Sequence, residues 1–350
     1  MAIENYHEQV NKDMVLKLRE VLAELPKFVS IFFRGIEQET AARTRLGYAY
    51  DLRIFFNFIK ENNPAYKNLD IREYKLSVLD ELIHIDIEEY MEYLKLYNKD
   101  DVEIVNHEKG IKRKLSALRK MYSYFYNNGM IETNPASKVK VPKLHQKAII
   151  RLESNEVAIL LDEAERGDKL TKNQQYFHEK TKTRDMALLT LLLGTGIRVS
   201  ECVGLDLNDI NFDNSCIKVR RKGGNEAFVY FGDEVTTALE EYIEERKKII
   251  PMEGHENALF LSIQRKRLSV RSVEKLVEKY ASIVTTMKHI TPHKLRSTYG
   301  TNLYRETGDI YLVADVLGHK DVNTTKKHYA DIDEDRKYQA RNKVKLRENL

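Results

Sequence analysis

Apolar residues recur at helical spacing through the first 130 positions of the chain. Residues 8 to 25 carry a helical pattern that ends near Pro26. Thr40 is placed to cap a helix running to about Asn62, with Leu46, Tyr50, Ile54 and Phe58 on one face. Asp86 starts a short helix through Ile87, Met91 and Leu94. Residues 107 to 127 set Ile111, Leu115, Leu118, Tyr122 and Phe125 at helical spacing, and Asn127-Asn128-Gly129 stops that helix. Its opposite face, expected to be exposed, holds Lys112, Arg113, Lys114, Arg119 and Lys120. The periodicity then lapses. Residues 134 to 151, NPASKVKVPKLHQKAIIR, contain Pro135 and Pro142 and read as a linker between domains.

Beyond the linker the pattern is mixed. Ser154 with Glu156 and the apolar run to Ala164 predict a helix, and the polar stretch 167–181 predicts a loop. Arg184 to Leu193 is apolar enough for a buried helix that stops at Gly194-Thr195-Gly196, with a short helix from Val199 to Gly204 after it. Residues 209–231 read as strands, with a Lys222-Gly223-Gly224-Asn225 turn between CIKVRR and AFVYF. From about 233 onward the chain reads as helical, apart from a short strand at Leu259–Leu261. The fold class expected is mainly α, with a small antiparallel β-sheet in the second domain.

At roughly 100–200 residues per domain, 350 residues suggest two domains or three. The chain is 42% hydrophobic, enough for packed cores. Two cysteines, Cys202 and Cys216, are too few for a disulfide framework or a four-ligand zinc site, and they read as reduced thiols of a cytoplasmic protein. No apolar run reaches the roughly 20 residues of a membrane span, and the polar, acidic N-terminus is unlike a signal peptide. The net charge of +4 hides a segregation. Residues 80–103 hold nine acidic residues against Lys95 and Lys99, whereas 134–151 hold Lys138, Lys140, Lys143, Lys147 and Arg151 and no acid. The first stretch should face away from a polyanion and the second toward one.

Four short segments offer chemistry. In GTGIRVSE, Arg198 follows a glycine turn at a helix start; it is either an ordinary surface arginine or a planar fork aimed at an oxyanion, steadied by Glu201 three residues on. Lys222, at a hairpin turn, is a solvated edge residue or a proton donor. His293 and Arg296 of TPHKLR share a helical face behind Pro292, a setting that suits one phosphate and one proton. His319 precedes Tyr329 by ten residues, and a tyrosine, more often a core residue, becomes a nucleophile only with cations around it. No sequence pattern points to a metal site, a nucleotide or another cofactor.

Taken together and in order, these motifs resemble the catalytic domain of the tyrosine recombinase (phage integrase) family, with a plan like that of the bacterial Xer recombinases. The motifs cover about 150–335, and the layout extends the likeness to about 30–143. The resemblance implies a helical N-terminal extension (1–28), a helical SAM-like core-binding domain (29–135), a basic linker (136–151) and an α-rich catalytic domain with a C-terminal docking tail (152–350). It implies that Arg198 and Arg296 clamp the scissile phosphate and that Tyr329 attacks it, giving a 3′-phosphotyrosine. It also implies that Lys222 protonates the departing 5′-oxygen and His319 hydrogen-bonds the phosphate. His293 accepts the phenolic proton or holds a nonbridging oxygen. Metal ions and ATP have no part in this chemistry. DNA contacts are expected from Arg43, Arg45, Lys112, Arg113, Lys114, Arg119, Lys120, Lys138, Lys140 and Lys143.

The partners implied are double-stranded DNA with a palindromic site, three further copies in a homotetrameric synapse, and accessory cell-division or excision proteins, with no membrane. Two roles fit: chromosome-dimer resolution in chromosome partition and cell division, or DNA integration for a mobile element or phage. A type IB topoisomerase and a non-catalytic DNA-binding protein are the weaker alternatives.

Overall fold

A computed structural model describes residues 6–99, 101–143, 149–221, 224–319 and 322. Lys222, Tyr329 and the expected docking tail lie outside the described residues. The chain divides into two compact units, Met1–Lys147 and Ala148–Leu350.

The first unit is built from α1 (Tyr6–Ala23), α2 (Val29–Gly35), α3 (Ala42–Asn62), α4 (Val78–Glu81), α5 (His84–Tyr93), a hairpin of β1 (Leu96–Lys99) and β2 (Val102–Val105), α6 (Glu108–Asn127) and α7 (Pro135–Lys138). Helix α3 packs against α1 and α6. Its buried stripe is Leu46, Ala49, Leu52, Phe55, Phe56 and Ile59, so Tyr50 turns out to be exposed. Phe28 meets Phe56 and Phe125 edge to face, with centroids 5.9 and 5.7 Å apart, and Phe55 meets Tyr90 at 5.1 Å. Each such ring, once buried, contributes about 1.5–3 kcal/mol. Asp86 caps α5 by accepting the Ile83 N–H at 2.7 Å, and Gly129 ends α6 in the left-handed region at φ 64°.

The stretch read as linker begins inside this core. Asn134 caps α7 through the Ser137 N–H, and Pro135, Ala136 and Val139 are buried. Arg119 of α6 donates Nε to the Ala136 carbonyl at 2.9 Å and Nη2 to that of Val139.

The second unit is built around α10 (Lys182–Thr195), whose Leu188, Leu189, Leu191 and Leu192 are all buried. Against it pack α8 (Ser154–Arg166), α12 (Asp233–Arg246) and α14 (Pro292–Thr307). The other helices are α9 (Lys172–His178), α11 (Val199–Gly204), α13 (Val270–Val284) and α15 (Ile310–Leu317). Strands β3 (Ile210–Asn211), β4 (Cys216–Arg220) and β5 (Glu226–Tyr230) form an antiparallel sheet in that order, with Cys216 opposite Tyr230 and Arg220 opposite Glu226. The start of this unit is pinned where the buried Leu152 donates its N–H to the Thr298 hydroxyl at 3.0 Å.

Two expectations for this unit are corrected. The polar stretch 167–181 is not all loop: α9 folds there because His178, buried within it, has Nδ1 3.0 Å from the Tyr280 hydroxyl. That hydroxyl donates in turn to the buried carboxylate of Asp185 at 2.9 Å. Residues 247–269 are not helical, and the expected strand at Leu259–Leu261 is reduced to single bridges, Asp206 with Ala258 and Leu261 with Arg267. No helix among the described residues is long and apolar enough to cross a membrane.

Candidate active site

The end of α15 organises the site. Gly318 takes the left-handed conformation (φ 62°) that closes the helix; its N–H donates to Asp315 and the His319 N–H reaches back to Ala314, both at 2.8 Å. A helix end leaves its last carbonyls without partners inside the helix and carries partial negative charge. Arginines supply the missing donors. Arg296 gives Nη2 to Leu317, Arg198 gives Nη2 to Gly318 at 3.2 Å, and Arg221 gives Nη2 to Val316 at 3.1 Å and Nη1 to Asp315 at 3.4 Å. Three guanidinium groups from three separate elements thus meet four consecutive carbonyls.

Arg296 and Arg198 are each held on a second side as well. Gly196, at φ 62°, ends α10, and its carbonyl accepts Arg296 Nη1 at 2.6 Å. Two residues later Arg198 opens α11. Glu201, 5% exposed, takes the Arg198 N–H at 2.8 Å and Nη1 at 2.7 Å, so one carboxylate fixes both ends of that residue. Arg296 is 5% exposed and Arg198 remains about one third exposed at its side chain. His293 lies one turn ahead of Arg296 on α14 and is exposed, and half-buried His319 directly follows Gly318. The arrangement therefore unites four of the expected catalytic residues, Arg198, His293, Arg296 and His319, around positive charge. Guanidinium groups collected in this way have the chemistry to receive a tetrahedral oxyanion through charge-assisted hydrogen bonds.

Cys202 sits beside Glu201 but offers no rival nucleophile. Burial, helped by the neighbouring carboxylate, pushes its thiol up to about 12.

Arg221 escaped the reading of the sequence, which weighed the VRRKGG hairpin for its lysine alone. The available signal was a second cation immediately beside that lysine, where a hairpin meets its turn.

The residues expected to contact DNA separate into two groups. Arg43, Lys112, Lys138, Lys140 and Lys143 are exposed. The others are engaged within the first unit. Arg45 is buried and paired with Glu37 at 2.6 Å, Arg113 pairs with Asp51 at 2.6 Å, Lys120 lies 3.4 Å from Glu39, and Arg119 holds α7 as described. Lys114 corrects the expected exposed face: it is 7% exposed, with Nζ donating to Asn106 at 2.8 Å, because it shares the inward face with Ile111 and Leu118. Asp51, buried beside Arg113, is raised to about 6 by loss of solvent, and Arg113 and Lys114 oppose that rise.

Residues 151–336 match the model of the Phage integrase family. The chain is 33% identical to the tyrosine recombinase XerC of Thermodesulfovibrio yellowstonii over 83% of its own length and 86% of that protein. It is 32% identical to the tyrosine recombinase XerS of Streptococcus agalactiae over 88% of its length and 93% of the relative. Its fold is similar to that of the XerH site-specific recombinase in a post-cleavage complex with the palindromic difH substrate. The TM-score there is 0.63 at 19% identity, over 87% of this chain and 80% of that one.

Proposed function

We propose, from the premise that this chain belongs to the phage integrase family of tyrosine site-specific recombinases, that it cuts and rejoins double-stranded DNA at a palindromic site through Tyr329. The names of its relatives favour an Xer-like role in chromosome-dimer resolution. Four copies would act together in the synapse, with accessory cell-division proteins as further partners. The second unit supplies the chemistry, and the first supplies contacts to DNA through exposed cations such as Arg43, Lys112, Lys138, Lys140 and Lys143.

One observation carries the mechanism: Arg198 and Arg296 meet at consecutive carbonyls of one helix end, with His293 and His319 beside them. The two arginines hold the nonbridging oxygens of the scissile phosphate and stabilise the charge that grows in the transition state. The Tyr329 oxygen attacks phosphorus as its proton passes to His293. The bond to the 5′-oxygen breaks, and Lys222 gives that oxygen a proton. His319 hydrogen-bonds the phosphate. The 3′-phosphotyrosine keeps the phosphodiester energy, so a new 5′-hydroxyl can reverse the step without ATP.

Tyr329→Phe removes the attacking oxygen and keeps the ring. It should bind a nicked suicide duplex as the parent chain does and form no covalent adduct on a denaturing gel. An adduct that persists, or that maps to another tyrosine, would reject the assignment.

A further inference from the structure

One side chain ties the turn between β4 and β5 to the end of α15. Arg221, the residue immediately before Lys222, donates Nη2 to Val316 and Nη1 to Asp315, at 3.1 and 3.4 Å. Its guanidinium lies against Gly318, where a methyl group would collide with it. Its backbone closes the turn: the N–H donates to the Asn225 carbonyl at 2.8 Å, and its own carbonyl accepts the Gly224 N–H at 3.1 Å. The residue is therefore fixed both along the hairpin and across to the helix that receives Arg198 and Arg296.

We propose that Arg221 is a positioning residue: it ties the end of β4 onto the arginine-bearing end of α15, and the proton transfer to the departing 5′-oxygen depends on that tie. The inference rests on the reading of Lys222 as the proton donor. Lys222 is the next residue in the chain, so the loss of the anchor at Arg221 acts on the proton donor through a single peptide bond. A lysine stem is flexible and does not locate its own ammonium. A misplacement of about 1 Å in a reacting group costs on the order of 100-fold in rate.

The test compares two nicked suicide duplexes in single-turnover adduct formation. One carries the ordinary phosphate and the other a sulfur in place of the bridging 5′-oxygen. Sulfur departs as a thiolate and needs no proton. Arg221→Gln should slow cleavage of the oxygen substrate by roughly 10- to 100-fold and of the sulfur substrate by less than about twofold. Arg221→Lys keeps a donor and should fall between Arg221→Gln and the parent chain on oxygen, which gives a second reading where the glutamine variant folds poorly. Thermal melting and site binding check the fold of each variant. Equal slowing on both substrates would mean that Arg221 serves the phosphate clamp or the fold, and no slowing on oxygen would mean that it is dispensable; either overturns the inference. Lys222→Ala is read separately: if sulfur fails to restore its rate, the proton-donor reading itself falls, and this inference with it.

Discussion

Glu201 decides what Arg198 can do. A guanidinium held only by the Gly318 carbonyl would sample several rotamers, and the carboxylate removes that freedom by taking Nη1 and the backbone N–H together. Glu201→Gln keeps an acceptor and loses the charge, so it should hold the backbone and release the fork. Adduct formation should slow by roughly 10- to 100-fold while site affinity stays within about threefold, because the loss falls on the transition state. A variant that cleaves at the parent rate would show that Arg198 needs no such support. At this scale the sequence was most legible. Arg198, His293, Arg296 and His319 each stand in a short motif with its own turn or cap, which marks them along the chain even though the carbonyls that hold the two arginines, at Gly196, Leu317 and Gly318, are distant in sequence. Arg221 was not legible, because it stands in no such motif, and its partners, backbone carbonyls about 95 positions away, add no sequence signature of their own.

Among elements, helix ends carried the readable signals. Gly129, Gly196 and Gly318 each stop a helix at positive φ, as the sequence suggested for the first two. Elements whose folding depends on distant partners were hidden. α9 exists through His178 and Tyr280, more than 100 residues apart, and the β1–β2 hairpin leaves Leu96, Val102 and Val105 exposed, so it lacks the alternation that marks a strand. Gly318 does two jobs, turning the chain and seating Arg221. Gly318→Ala should therefore destabilise the second unit by about 1–2 kcal/mol through left-handed strain. It should also reproduce the substrate pattern of Arg221→Gln, slow on oxygen and restored on sulfur. Unchanged melting together with unchanged cleavage would show that neither job matters.

In the whole molecule the chain divides into units Met1–Lys147 and Ala148–Leu350, and residues 134–151 stand out in the sequence by charge and proline more than by hydropathy. Trypsin has Lys140, Lys143, Lys147 and Arg151 as sites there. Brief digestion should yield two fragments that each melt cooperatively, and the DNA site should protect the connection. First cuts elsewhere, with no effect of DNA, would reject the expected role of this stretch.

Arg119 clamps the departing chain at Ala136 and Val139, and Leu152 is pinned by Thr298, so both ends of the connection are nailed down. Twelve residues, 140–151, then remain between the nails, a contour of about 45 Å. On the proposed function, in which both units grip one duplex, covalent connection over such a contour would put the second grip at an effective concentration in the millimolar range, and doubling the contour would weaken the joint grip by only about 0.6 kcal/mol. Chain length would then set the avidity of the pair, so that two grips, each weak alone, would last when joined.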